Sequence, residues 1–155
     1  MEIRRFRPED APQVSALIAR TLRTTNRRDY PAEYIEKTVQ SLQPEDVRKR
    51  AAWTHFYVAC VGDAIVACGA IGPYWDKEDE SSLFTVFVLP EYHGRGVGTQ
   101  VIQTLEQDEF FLRAKRVEIP ASVTAAPFYE KMGYRYKNGV TEPDAEGLLR
   151  MEKFR

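Results

Sequence analysis

The sequence is poor in the side chains that most often bind metal ions or form disulfides. It contains two cysteines and two histidines in 155 residues, without the short ligand spacing of a zinc site. Cys60 and Cys68 both lie in apolar, strand-like segments, where a free thiol behaves as a small buried hydrophobic group. A tight turn at Gly62-Asp63 would place Cys60 opposite Ile65, so no disulfide between the two strands is expected. We therefore expect no metal and a reducing compartment.

Charge of one sign and long apolar segments are also missing. The 22 basic and 23 acidic residues give a formal net charge of −1, so no overall field attracts nucleic acid or an anionic membrane. No apolar segment approaches the roughly 18 residues of a membrane span, and no signal peptide opens the chain. These absences predict a cytoplasmic protein with no nucleic-acid or membrane partner. The length predicts one domain, residues 1–155, without linkers or repeats.

The hydrophobic pattern predicts an α+β fold in which helices flank a mixed sheet. Apolar residues recur at helical spacing after Asp10, and Pro31 and Pro44 bracket a second helix over 32–42. Two segments joined at Gly62-Asp63 are typical of a hairpin, and Gly133 is typical of the end of a short helix over 125–132. The predicted strands are residues 2–7, 55–61, 64–71, 83–89, 116–120, 134–137 and 147–154.

The central strand, 83–89, runs into a glycine-rich turn and then into a helix. Gly94, Gly96 and Gly98 alternate with other residues, which allows positive φ angles and a close approach of the backbone to a ligand. The N-terminus of a helix is a good site for phosphate, and Arg95 adds a full charge. Thr99 stands where the dinucleotide fingerprint needs glycine, and the stretch has no lysine for a mononucleotide loop. A tight connection without a ligand is the alternative.

Two motifs in the second half of the chain resemble those of a known protein family. Arg95-Gly96-Val97-Gly98 follows a hydrophobic strand and resembles the cofactor motif of the GNAT superfamily of acetyl-CoA-dependent N-acyltransferases, with His93 where the family has Gln or Arg. Residues 122–134, SVTAAPFYEKMGY, resemble a second family motif, with Ser122 in place of asparagine and Tyr134 in place of phenylalanine. The two motifs cover about the second half of the chain. The resemblance implies the GNAT fold, a mixed and mostly antiparallel sheet whose central strands splay apart to admit a pantetheine arm.

The resemblance also implies where acetyl-CoA, the acyl donor, would bind. The backbone of Phe87 and Val88 would bond the pantetheine amides, and the turn from Gly94 to Thr99 would bind the pyrophosphate. Ser122 keeps a hydroxyl that could bond the pantetheine. The full set implied for cofactor binding is Phe87, Val88, His93, Gly94, Arg95, Gly96, Val97, Gly98, Thr99, Ser122 and Phe128.

The catalytic groups are an acid and a base. Tyr129 matches the family's tyrosine that protonates the departing sulfur, a role open to a phenol that is protonated at neutral pH; packing under the sheet is the alternative. Serine stands at position 82, where some relatives carry a glutamate base. Glu80 would lie on the same face of the strand and is the expected base, with Glu118 on the neighbouring strand as the other candidate. Ordinary surface carboxylates are the competing interpretation of both.

The expected activity is transfer of an acetyl group from acetyl-CoA to a primary amine of a small molecule or peptide, by direct attack in a ternary complex. The alternative is a non-catalytic domain that binds or senses acyl-CoA. The acidic segment 76–80 hints at a cationic acceptor, and the arginines between 20 and 28 form either a solvated surface or a contact with an anion. The resemblance allows a homodimer.

Overall fold

The computed structural model describes residues 1–155 and contains seven strands and six α-helices. The strands are β1 (Glu2–Arg5), β2 (His55–Val61), β3 (Ala64–Pro73), β4 (Glu80–Val88), β5 (Arg116–Ser122), β6 (Arg135–Tyr136) and β7 (Leu148–Phe154). The helices are α1 (Ala11–Thr24), α2 (Ala32–Gln40), α3 (Pro44–Trp53), α4 (Val97–Leu105), α5 (Glu109–Leu112) and α6 (Ala126–Lys131). None of these helices combines the length and the apolar character that crossing a membrane would need.

The strands form one mixed sheet in the order β1-β2-β3-β4-β5-β7-β6. All neighbours are antiparallel except β4 and β5, which run parallel. Their pairing is limited to Glu80–Ser82 against Arg116–Glu118, so the two central strands separate beyond that point. The mixed sheet flanked by helices confirms the fold class expected from the sequence, including the splayed centre.

Two hydrophobic cores hold the helices against this sheet. One core joins α1, α2 and α3 to β2 and β3, and includes Ile18, Ile35, Val47 and Phe56. The other joins α4 and α6 to β3, β5 and β7. Gly69 on β3 lets α4 approach closely, because an added Cβ would lie 2.8 Å from a methyl group of Val101. This contact seats α4 directly beyond the end of β4.

A bulge bends β4 just before that end. The pairing of β3 with β4 shifts register between Cys68 and Ala70, and Thr85 on β4 has a φ of 55°. A β-branched residue in the left-handed region is strained, and such bulges re-aim a strand. The bulge therefore marks the place where β4 turns away from β5.

Most element boundaries agree with the sequence pattern, and two helices differ. The predicted hairpin at Gly62-Asp63 is confirmed, and Cys60 pairs with Ile65 as expected. The helix that follows the glycine turn ends at Leu105, because the Asp108 side chain accepts the N–H of Phe110 and starts a separate α5. Leu112 is consequently 56% exposed.

Helix α3 was not predicted from the sequence. Its apolar face is short, with Val47 as its only buried residue, so hydrophobic periodicity gives little signal. The start of the helix does carry a signal, since Pro44 occupies the first turn and the Asp46 carboxylate accepts the N–H of Gln43 at 3.0 Å.

An ion cluster closes the end of the sheet where β4 and β5 still pair. The Arg116 guanidinium donates to Glu80 at 3.0 Å, to Glu152 at 2.7 Å and to the buried Glu118. Lys137 also reaches Glu118, at 3.0 Å. A carboxylate that is 2% exposed requires such partners.

Replacing Arg116 by alanine should therefore lower the free energy of unfolding by about 3 kcal/mol, because it leaves buried carboxylates without their shared cation. Lys115→Ala is the matched control: its ion pair with Asp79 is exposed on both sides, so its loss should change the free energy of unfolding little. Urea unfolding measures both values. Equal losses for the two variants would contradict the importance of the cluster.

Candidate functional site

The separation of β4 and β5 opens a cleft of about 600 Å³. Its walls come from the end of α1 and the start of α2, from β4 and the following glycine turn, and from β5 and α6. Fourteen of its 29 lining residues are hydrophobic, as is usual for a small-molecule site. Its volume is that of a small-molecule binding cleft.

An anion cradle lies at the mouth of this cleft, where the glycine turn enters α4. The backbone N–H groups of residues 94–99 make no hydrogen bond of normal geometry to a backbone carbonyl. Gly94 and Gly96 have φ angles of 74° and 79°, a conformation that costs other residues energy. The run of free donors coincides with the positive end of the α4 dipole. Such an arrangement binds phosphate.

The turn is held by its own side chains. The His93 ring nitrogen Nε2 lies 2.7 Å from the Val88 carbonyl oxygen, and because a carbonyl only accepts, Nε2 carries the hydrogen. The Arg95 guanidinium lies 5.2 Å from the centre of the Tyr92 ring, a favourable cation–π contact. Arg95 does not line the cleft, whereas His93, Gly94 and residues 96–99 do. Most of the predicted loop residues thus line the cleft, whereas Arg95 lies outside it.

Gly98 and Phe128 meet across the cleft floor. A Cβ at position 98 would lie 3.3 Å from Cζ of Phe128, so the absence of a side chain lets α4 and α6 come together. Phe87 and Val88 line the opposite wall. These four residues, all expected from the resemblance, border one continuous channel.

Tyr129 reaches this channel from α6. Its ring is 3% exposed and packs edge-on against Phe128 and Tyr134, with centroids 5.3 and 5.9 Å away. Every fully buried side-chain nitrogen or oxygen has a hydrogen-bond partner, and the Tyr129 hydroxyl makes no such bond, so that hydroxyl faces the cleft. Burial raises the pKa of Tyr129 well above its usual value, and the phenol therefore keeps its proton.

Ser122 also lines the cleft, at the end of β5. Its hydroxyl oxygen accepts the N–H of Ala125 at 3.1 Å, a contact that stabilises the turn into α6. The hydroxyl hydrogen is still available to a ligand.

The expected base, Glu80, is not part of the cleft. Its carboxylate is bound to Arg116 in the ion cluster, and neither it, Ser82 nor Glu118 lines the channel. Arg116 explains this placement. Its nearly buried guanidinium is surrounded by three carboxylates, and the ion pair holds the Glu80 side chain away from the cleft. No aspartate or glutamate is among the lining residues, so the idea of a carboxylate base has no support in this arrangement.

Sequence reasoning missed Tyr30 and Tyr34, which form one end of the cleft. Their rings stack with centroids 4.4 Å apart. The Tyr30 hydroxyl donates to the Gly147 carbonyl at 2.5 Å and accepts the Val123 N–H at 2.8 Å. Tyr34 donates to the carbonyl of Glu146. These bonds tie α2 to two loops that are distant in sequence, a relation that no local pattern signals.

The basic segment between residues 20 and 28 divides in the structure. Arg20 pairs with Glu91, and Arg23 pairs with Glu36. Of the four arginines only Arg28 lines the cleft, where Nε donates to the Thr25 carbonyl. Most of this segment is therefore a solvated, ion-paired surface.

Comparison with known proteins agrees with this geometry. The family described as "Acetyltransferase (GNAT) family" matches residues 19–134, about three quarters of the chain, and the protein belongs to that family of acyltransferases. It is 27% identical over 138 residues to the uncharacterized N-acetyltransferase YafP of Escherichia coli strain K12, covering 87% of this chain and 81% of that protein.

Solved structures share the fold over nearly the whole chain. A GCN5-related N-acetyltransferase from Rhodopseudomonas palustris superposes with a TM-score of 0.81 at 24% identity, covering 99% of this chain and 95% of its own. The PaiA N-acetyltransferase from Thermoplasma acidophilum, solved in complex with coenzyme A, gives a TM-score of 0.81 at 18% identity, with 99% and 98% coverage. At these identities the likeness concerns the fold.

Tyr30→Phe should loosen the closed end of the cleft. The change leaves the Val123 N–H and the Gly147 carbonyl without their partner, which should lower the free energy of unfolding by about 1–3 kcal/mol. Amide hydrogen exchange in residues 144–148 should quicken. Tyr136→Phe, which removes a hydroxyl bonded to the exposed Glu130, is the control and should change neither measurement.

Proposed function

We propose that the protein transfers an acetyl group from acetyl-CoA to a primary amine of a small molecule or peptide. The observation that carries the proposal is the run of free N–H donors at residues 94–99, placed at the mouth of a cleft between two separated strands. The T. acidophilum relative of the same fold is described as a complex with coenzyme A. In this proposal residues 94–99 hold the pyrophosphate.

The exposed edge of β4 supplies backbone groups for the pantetheine arm. The N–H of Leu89 bonds to Val66 on β3, so by strand alternation the N–H and C=O of Val88 point to the opposite side. There β5 has moved away. His93 already occupies one site on the Val88 carbonyl, which leaves the Val88 N–H as the main donor to an amide. The Phe87 and Phe128 side chains line the apolar part of the channel.

Bound acetyl-CoA would supply a thioester whose carbonyl carbon the amine attacks, with C–N bond formation and C–S bond cleavage. Tyr129 gives its hydroxyl proton to the departing sulfur, and water returns to the phenolate the proton that the attacking nitrogen loses as the amide forms. Burial raises the pKa of the phenol, but a thiolate that develops in the same apolar channel is destabilised by the same desolvation. The pKa values of the Tyr129 phenol and of the departing thiol therefore differ less than the raised pKa of the phenol alone would indicate.

The acceptor amine must reach the cleft without its extra proton. No carboxylate lines the channel, so we propose that water removes the proton as the amine enters, and that Glu80 has no part in this step. When the acceptor concentration limits the rate, the rate should then rise with pH as the acceptor's own ammonium group loses its proton. Because the pKa of Tyr129 is raised, the acid stays protonated throughout that rise.

Gly96→Ala should weaken binding of coenzyme A about tenfold. An alanine at a φ of 79° costs about 1–2 kcal/mol and turns the cradle donors out of line. Gly62→Ala is a matched control, because Gly62 also has a positive φ and open space around its Cα but lies in the β2–β3 turn. Calorimetric titration should show normal affinity for Gly62→Ala. No binding by the unchanged protein would overturn the proposed function.

Tyr129→Phe should lower kcat about a hundredfold or more, the usual contribution of a general acid. The phenylalanine ring keeps the contacts with Phe128 and Tyr134, so affinity for acetyl-CoA should stay the same. Thiol release against a panel of primary amines measures the rate, and the rising limb of the pH profile should not move. An unchanged kcat would remove Tyr129 from the mechanism, and tight binding without release by the unchanged protein would favour the sensing role.

A further inference from the structure

The partly buried lysine and arginine side chains of this protein pair with carboxylates, with the exception of one arginine. Seven lysine and arginine side chains are at least partly buried: Arg4, Arg48, Arg50, Arg116, Lys137, Arg150 and Lys153. Six of them lie within 4 Å of an aspartate or glutamate oxygen. Arg50 has no such partner. Its nearest acid along the helix, Asp46, is bound to the N–H of Gln43 at the start of α3.

Arg50 is held in place by neutral groups. One of its terminal nitrogens donates to the Thr85 hydroxyl at 2.8 Å, and its guanidinium lies 5.4 Å from the centre of the Phe84 ring. These contacts fix the direction of the side chain. They leave most of its five N–H donors unused, and desolvation without a partner lowers the pKa of the group.

The hydroxyl that Arg50 contacts belongs to the cleft. Thr85 lines the channel and sits at the bulge where β4 turns away from β5. The Cys68 thiol donates to the Thr85 carbonyl at 3.3 Å, and Tyr129 lines the same cleft as Thr85. Arg50 does not itself line the cleft; it adjoins the cleft through the Thr85 hydroxyl, which it contacts from α3.

We propose that Arg50 binds a carboxylate of the acceptor. The acceptor class is then an amine that also carries a carboxylate, namely an amino acid or a short peptide. An arginine suits this task because its planar fork matches a carboxylate with two parallel hydrogen bonds. The absence of acidic side chains from the cleft agrees with such an acceptor and not with a polycation. This inference rests on the proposed acetyl transfer.

Product-like probes test the proposal without turnover. N-acetylglycine, N-acetylalanine, N-acetylleucine and N-acetylphenylalanine, each as the free acid and as the carboxamide, are titrated calorimetrically into the complex of the protein with coenzyme A. Acetylation removes any difference in amine ionisation, so each pair differs only in the carboxylate. A charged hydrogen bond of about 1.5–3 kcal/mol corresponds to a preference for the acid of about 10- to 100-fold.

Variants of two neighbouring arginines separate recognition from folding. Arg50→Gln should abolish the preference for the acid, leaving acid and amide equal within about twofold, and Arg50→Lys should keep part of it. Arg48 lies on the same helix and pairs with Glu45 at the surface. Arg48→Gln should therefore bind the probes as the unchanged protein does. Thiol release with free and amidated dipeptides should give the same ranking in KM with little change in kcat.

Three results would overturn the inference: equal binding of acids and amides, no binding of any probe at millimolar concentration, or equal weakening of both forms by Arg50→Gln. The last would mean that Arg50 only supports the bulge at Thr85. Affinity for coenzyme A is measured in the same samples and does not depend on Arg50. Absence of that affinity in the unchanged protein would refute the proposed function, whereas any of the three results obtained with that affinity present would refute only the role of Arg50.

Discussion

The short pairing between β4 and β5 is the constraint on which the rest of the structure depends. Only three residues of each strand are in register, and everything beyond them has to be held apart by other contacts. Arg116 and its carboxylates close the paired end. The Thr85 bulge and the close seating of α4 on Gly69 direct β4 away from β5. A sheet that paired along its full length would have no channel.

The chemistry of the channel follows from what its walls contain. At one end the backbone offers hydrogen-bond donors, and along the middle the side chains are largely apolar. A phenol that keeps its proton, Tyr129, also lines the cleft, and Arg50, which has no carboxylate partner, contacts the lining residue Thr85. The acidic side chains lie outside the cleft, and Glu80 and Glu118 among them are ion-paired with Arg116. Such a distribution favours ligands that bring negative charge at both ends and a neutral reacting group in between.

Local sequence patterns predicted the glycine turn at the mouth of the cleft because that part of the cleft is local in the chain. The glycine turn and α4 are consecutive in the chain, and positive φ angles can be anticipated from glycine itself. The opposite end of the cleft is assembled from residues that are distant in sequence, such as Tyr30 with Gly147. No periodicity reports such a pairing. Glu80 illustrates the same limit, because its position on the strand was correct while its partner, Arg116, lies on another strand.

The hydrogen bonds of Tyr30 determine which parts of the cleft can move independently. One hydroxyl joins the loop after β5 to the loop before β7, and its ring stacks on α2. Because these contacts link the three segments, we expect them to move together. Opening of the cleft at that end therefore needs all three segments to move. We expect ligand exchange that requires only a small displacement to occur at the other end, past the turn that contains Gly94 and Gly96.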